Sequence, residues 1–172
     1  MHAHTVTREI VPVCAGLAER FRARDAKLLD VGVGVAGTAI ALAQMWPELR
    51  IVGIDPWQPS LRLARENVDR AGLAERIELR EQGVESLEDQ SAYDYVYFAN
   101  TFIPERLARV GLERALSALR PGGWISIGSP NDAAPPAVSA LFRLRETQWG
   151  GPVWTQAQAE QVLRDTGFVE VQ

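Results

Sequence analysis

Residues 28–56 read LLDVGVGVAGTAIALAQMWPELRIVGIDP. An apolar run carrying Asp30 is followed at once by Gly32-x-Gly34-x-x-Gly37. A helix-like segment comes next, then a second apolar run, Ile51 to Ile54, closed by Asp55. Strand, glycine turn, helix, strand and terminal acid make one βαβ unit, with a different expectation for each glycine. Gly32 allows a tight turn, Gly34 lets a ligand approach bare backbone, and Gly37 permits close packing of helix on strand. The helix that follows aims its free N–H groups and positive dipole end at that ligand. Asp55 lies where an acid at the end of a second strand takes two ribose hydroxyls. The unit therefore predicts a nucleoside-bearing ligand.

Asp30 narrows the choice of nucleoside. A pyrophosphate is anionic, and a carboxylate just ahead of the glycine turn would repel it. An acid there favours a ligand with a cationic end. The run Asp30-Val-Gly-x-Gly34 resembles motif I of the class I S-adenosylmethionine-dependent methyltransferases, whose cofactor carries an ammonium and a sulfonium. The family's third glycine usually stands at the position of Ala36, whereas here the glycine is Gly37.

Across 172 residues, 47% apolar with five Trp, the composition is that of a folded domain large enough for a real core. No apolar run approaches the roughly 20 residues of a membrane span, and no signal-peptide pattern opens the chain. One cysteine, Cys14, excludes an internal disulfide and points to a reducing, cytoplasmic location. Cys14 itself reads as a small buried filler. The net charge of −4 gives no electrostatic case for nucleic acid. His2 and His4 are the only histidines and read as part of a frayed end, not a metal site. A general base must then be a carboxylate or a tyrosine.

The remaining elements follow from periodicity and punctuation. Residues 1–26 are expected as an N-terminal helical extension, with helix over Glu9–Arg24, and residues 27–172 as the ligand-binding domain. Strands are predicted at Lys27–Val31, Arg50–Ile54, Ile77–Arg80, Tyr93–Phe98, Trp124–Gly128 and Phe168–Val171. Helices are predicted at Ala36–Met45, Leu61–Ala71, Glu105–Leu119, Val138–Glu146 and from Thr155 to Asp165. Ser129–Pro136 reads as a loop and Thr147–Pro152 as a flexible connection able to cover the site. Arg143 and Arg145 read as a solvated face. Trp149 and Trp154 have two readings each, pocket lining or packing.

The class I resemblance covers about residues 27–171, and Leu119-Arg-Pro-Gly-Gly-Trp124 carries it again as the turn before the fifth strand. It implies a doubly wound α/β fold, mainly parallel, of about six strands with helices on both faces. The family's antiparallel seventh strand finds no residues here, so an open sheet edge awaits a second subunit or a flanking domain. Asp30, Gly32 and Gly34 are the residues expected to hold the amino-acid end of S-adenosylmethionine, and Asp55 its ribose. Pro56, Trp57, Gly83 and Val84 would surround the adenine, with Trp57 either flanking the base or merely packing. Ala99 and Asn100 complete the expected cofactor set. The family usually has an acid at the position of Gly83. Its absence removes one hydrogen bond, about 0.5–1.5 kcal/mol of binding, with Glu85 and Glu81 the alternative acceptors.

In the loop after the fourth strand, Asn100, Thr101 and Glu105 are the polar groups nearest the reacting end. Asn100 and Glu105 are the candidate catalytic residues, with Tyr97 a second possible base. The expected function is methyl transfer to a small-molecule acceptor, with no nucleic-acid or membrane partner and no metal. The alternatives are a degenerate binding module or a fragment of a longer protein, and, less favoured because of Asp30, an NAD-binding oxidoreductase domain.

Overall fold

The computed structural model describes residues 6–128, 137, 140, 141, 144, 148 and 150–171. A π-helical turn, Val6–Ile10, and a short helix α1, Leu17–Arg20, lead into β1, Lys27–Val31. Then come α2, Gly37–Met45; β2, Arg50–Asp55; α3, Gln58–Arg70; and β3, Ile77–Glu81. A 3-10 turn, Val84–Ser86, precedes β4, Tyr93–Phe98, and a second one, Asn100–Phe102, precedes α4, Glu105–Ala118. The edge strand β5, Leu119–Ile127, and a final helix α5, Gln156–Thr166, complete the described elements.

The sheet has the order β3-β2-β1-β4-β5, with every neighbouring pair parallel. Chain order reverses between β1 and β4, so the crevice for a ligand opens beyond the carboxyl ends of these central strands. The strands read as apolar runs because helices cover both faces. Leu28 of β1 packs with α2 and α3 through Ala39, Leu42, Leu61 and Ala64. Its neighbour Leu29 belongs to the opposite cluster with Val96, Ala108, Leu112 and Val162, on the side of α4 and α5.

The fold is the expected doubly wound α/β architecture, with five strands among the described residues in place of six. Phe168–Val171 forms no strand. Gly167, at φ 110°, caps α5, and the Phe168 N–H turns back to the Leu163 carbonyl at 3.0 Å. Phe168 then packs on the core as the apolar contact that closes such a cap, and Glu170 at φ 52° breaks any extended path. The long first helix is a second departure. Pro12 lacks a donor N–H, and Gly16 in the left-handed region (φ 82°) restarts the chain as α1. β5 begins earlier than expected: Tyr93 pairs with Leu119 and Tyr95 with Trp124, so the Pro-Gly-Gly turn bulges out within the ladder.

His2, His4, the Ser129–Pro136 loop, Arg143, Arg145 and Trp149 lie outside the described residues, as does most of the predicted helix Val138–Glu146. Trp154 packs, 5% exposed, in the α4–α5 core.

Candidate functional site

The glycine loop is stitched to the end of β2 by backbone. Gly32 and Val33 both donate to the Ile54 carbonyl, at 2.9 and 3.1 Å. Gly32 and Gly34 take φ 78° and 55°, the left-handed region where a side chain is strained. Ala99 lies directly against Gly32, where a Cβ would stand 3.4 Å from its methyl group. The third left-handed residue is Ala36, at φ 64°, which caps α2. Gly37 is the first helical residue, and a Cβ there would meet nothing within 4 Å. The close helix–strand approach expected of Gly37 is therefore not present, because the motif's third position has moved to Ala36.

Two positions that support the loop escaped the sequence reading. Gly53 of β2 lies beneath it, where a Cβ would stand 2.7 Å from Val33 Cγ2 and 3.1 Å from Leu79 Cδ2. The signal was a glycine inside an apolar strand, which marks close approach. Asn67 of α3 donates to the Val35 carbonyl at 3.0 Å, and Arg70 fixes the amide by donating to its oxygen at 3.0 Å. No local pattern marks a contact spanning 32 residues.

Asp55 clamps the loop. Its Oδ2 accepts from the Gly34 N–H at 3.0 Å and its Oδ1 from the Trp57 N–H at 2.8 Å. A carboxylate has about four acceptor sites, so two remain for hydroxyl groups. Pro56 and Trp57 follow on the surface, and Trp57, 64% exposed, does not pack.

Asp30 stands between Gly53 and Tyr97 in the sheet register and is 2% exposed. Its Oδ2 is buried with no hydrogen-bond partner. Burial first, and the Asp55 charge second, push its carboxyl up to about 7. An orphaned buried acid of this kind is costly by itself.

On the β3 side, the Gln82 N–H donates to the Asp55 carbonyl at 3.2 Å. Val84 turns its side chain into the core, 4% exposed, so only its backbone faces outward. Gly83 precedes it in extended conformation.

Beyond β4, Asn100 is fully buried. Its Nδ2 donates to the Gly128 carbonyl at 2.9 Å and its Oδ1 accepts from the Gly128 N–H at 2.7 Å. The side chain thus braces the loop against the end of β5. Gly151 lies directly on the Asn100–Thr101 backbone, closer than any side chain would allow. Glu105 sits in the first turn of α4, its side chain 58% exposed and 3.6 Å from Arg109. Tyr97 is half-buried, and burial together with the Asp30 charge raises its phenol well above the usual range. It stays protonated at neutral pH.

A cavity of about 310 Å³ opens at the other end of the sheet, lined by Arg20, Asp25, Asp94, Arg120 and Pro121–Trp124. Its charges pair with one another: Arg20 Nε and Arg120 Nη1 both bind Asp94, at 2.7 and 2.8 Å. That cluster braces the fold, away from the crevice.

A family profile described as a methyltransferase domain matches residues 28–123. Among curated proteins, an L-tyrosine C(3)-methyltransferase of Streptomyces lavendulae is 33% identical over 152 residues, 83% of this chain and 41% of its own length. A trans-aconitate 2-methyltransferase of Variovorax paradoxus is 27% identical over 145 residues, 83% of this chain and 53% of its own. Among solved structures, the S-adenosylmethionine-dependent methyltransferase SibL superposes with a TM-score of 0.70 at 27% identity, over 99% of this chain and 51% of its own. The chain thus spans about half the length of the curated relatives it matches.

Proposed function

The chain belongs to the methyltransferase-domain family, and from that membership we propose that it binds S-adenosylmethionine and directs its methyl group to a small-molecule acceptor. The observation that carries the reading is the buried, unpartnered Asp30 Oδ2 beside a glycine loop held open by Asp55. A cationic amino-acid end fits that oxygen, a ribose diol fits the two remaining acceptor sites of Asp55, and bare backbone at Gly34 admits close approach. Ala99, against Gly32, closes the floor. Pro56, Trp57, Gly83 and the Val84 backbone lie on the side where a base attached to that ribose would project.

Bound S-adenosylmethionine supplies an electrophilic methyl group on its sulfonium. The chain contributes orientation and exclusion of water, which are large terms in a transfer between two positioned groups. Asn100 acts through position, holding the loop after β4 against Gly128. Glu105, where α4 begins, is the carboxylate proposed to take a proton from an acceptor that needs one removed. Small-molecule acceptors are supported by the relatives' names, which specify tyrosine and trans-aconitate. The division at residues 26 and 27, as an extension packed into the core of the sheet domain, assembly with a second subunit or a flanking domain over the open sheet edge, and a cytoplasmic location inferred from the single cysteine belong to the same proposal.

Calorimetric titration with S-adenosylhomocysteine tests it, with NAD as control and Asp55→Ala as second sample. Micromolar binding that the substitution removes is the expected result. A folded protein that binds neither ligand would be a degenerate scaffold, and retention of NAD alone would indicate an oxidoreductase domain.

A further inference from the structure

The turn after β4 lies between two glycines from distant parts of the chain. On one side is Gly128, where a Cβ would stand 3.2 Å from Asn100 Oδ1 and 3.6 Å from Thr101 Cγ2. On the other is Gly151, where a Cβ would stand against the Thr101 carbonyl carbon and oxygen and the Asn100 carbonyl oxygen. A methyl group at Gly151 would thus meet main chain, which no change of rotamer can move aside. The strap that carries it, residues 150–152, is anchored downstream. Pro152 is buried, Trp154 packs in the core with Ala159 and Val162 of α5, and the Thr155–Gln158 capping box fixes the start of that helix.

The turn itself moves as one piece. The Phe102 N–H donates to the Ala99 carbonyl and the Ile103 N–H to the Asn100 carbonyl, both at 3.1 Å, while Gly128 holds both ends of the Asn100 amide. Ala99, just ahead of the turn, donates to the Val31 carbonyl at 3.1 Å and sets its methyl group against Gly32. A line of contacts therefore runs from α5 through Gly151 and the turn to Gly32, in the loop that follows Asp30. Close-packed backbone has no slack, so a displacement at Gly151 is passed along that line.

We propose that Gly151 is a positioning residue for methyl transfer, its bare backbone seating the strap on the turn after β4 so that Ala99 holds the glycine loop in place under the cofactor's amino-acid end. The proposal rests on the cofactor site described above and adds to it a residue that acts through the turn. Gly32 and Ala99 stand on the β1–β4 side of the crevice, and Asp55 closes β2 on the other side. A shift of the turn therefore acts on the amino-acid end of a bound ligand and spares its nucleoside. Fixing that end sets the line along which the sulfonium presents its methyl group, which is the orientation such a transfer depends on.

The test compares S-adenosylhomocysteine with 5′-methylthioadenosine, which has the same nucleoside and sulfur but no amino-acid end, by calorimetry on the whole chain. Gly151→Ala should weaken S-adenosylhomocysteine about tenfold, the scale of one misplaced charge-assisted contact, and leave 5′-methylthioadenosine within about twofold of wild type. Pro152→Gly, which loosens the strap without adding bulk, should shift the ratio of the two affinities in the same direction. It carries the test if Gly151→Ala does not fold, which thermal melting of both variants would show. Equal loss of both ligands, or no loss of either, would make Gly151 a packing residue and overturn the assignment while leaving the cofactor site standing. Failure of the wild type to bind S-adenosylhomocysteine would instead overturn the site itself, and the assignment with it.

Discussion

Asp30 concentrates the chemistry of the site in one side chain. It is buried, lacks a partner for Oδ2, and shares its surroundings with the negative Asp55. Unfolded, it would release its proton near pH 4. Folded, it keeps the proton up to about pH 7. Between those values the folded state binds more protons, so the stability of the ligand-free protein falls as pH rises from about 4 to about 7 and levels off above. A cation set against Oδ2 needs the ionised acid, so binding near pH 6 expels a proton. With a carboxyl titrating near 7, S-adenosylhomocysteine should bind roughly eightfold more weakly at pH 6 than at pH 7.5. Calorimetry in buffers of different ionisation heat would show the released proton. Asp30→Asn should abolish both the pH slope and the proton release. A wild-type affinity that stays flat across this range would remove Asp30 from the cation site.

At the scale of elements, the start of β4 is tied to three others through one acid. Asp94 accepts from Arg20 Nε and Arg120 Nη1 and from the Lys27 N–H at 2.8 Å, joining α1, β1 and the turn that opens β5. Asp94→Ala would remove the buried acid that the two guanidinium groups share and leave them only the exposed Asp25, 2.8 Å from Arg20 and 3.9 Å from Arg120. Loss of one partner of a buried ion pair costs about 3–5 kcal/mol, and partial exposure of both arginines reduces this to about 2–3 kcal/mol. A lower denaturant midpoint with unchanged slope is the expected result, and a shift below 0.5 kcal/mol would show that the cluster contributes nothing. The sequence announced most of these elements because their signals are local. The apolar runs give β1 to β4, and Pro47 marks the end of α2. Thr155 and Gln158 form the capping box that starts α5. Three features depend on tertiary geometry and were not legible. The Pro-Gly-Gly turn is absorbed into the β5 ladder, the cap after α5 consumes the residues read as a sixth strand, and Asn67 reaches across to Val35. In the site, the glycine loop and Asp55 could be read from spacing. The bracing of Asn100 by Gly128 could not, because it joins positions 28 residues apart.

For the whole molecule, the N-terminal segment is part of the main core, whatever boundary its sequence implies at residues 26 and 27. Val6, Leu17 and Phe21 are fully buried in the same cluster as Leu28, Leu42 and Leu61. The Phe21 ring meets Trp46 and Tyr95 edge-on, with centroids 5.0 and 5.7 Å apart. Trp46 caps the end of α2 and Tyr95 lies in β4, so this one ring links the entry segment to both sides of the switch between β1 and β4. Phe21→Ala removes a fully buried aromatic side chain and leaves a cavity, a change that costs about 3–5 kcal/mol. Typical domains hold only about 5–15 kcal/mol in total, so the variant should lose a large fraction of its stability. The loss should be felt by the sheet as a whole, since the face that carries Asp30 is covered by this segment. Hydrogen exchange on β1 and β4 would measure it. Protection in those strands should fall together with the global midpoint if residues 6–26 are part of the fold. Full protection in Phe21→Ala would show them to be an appendage that the sheet can do without.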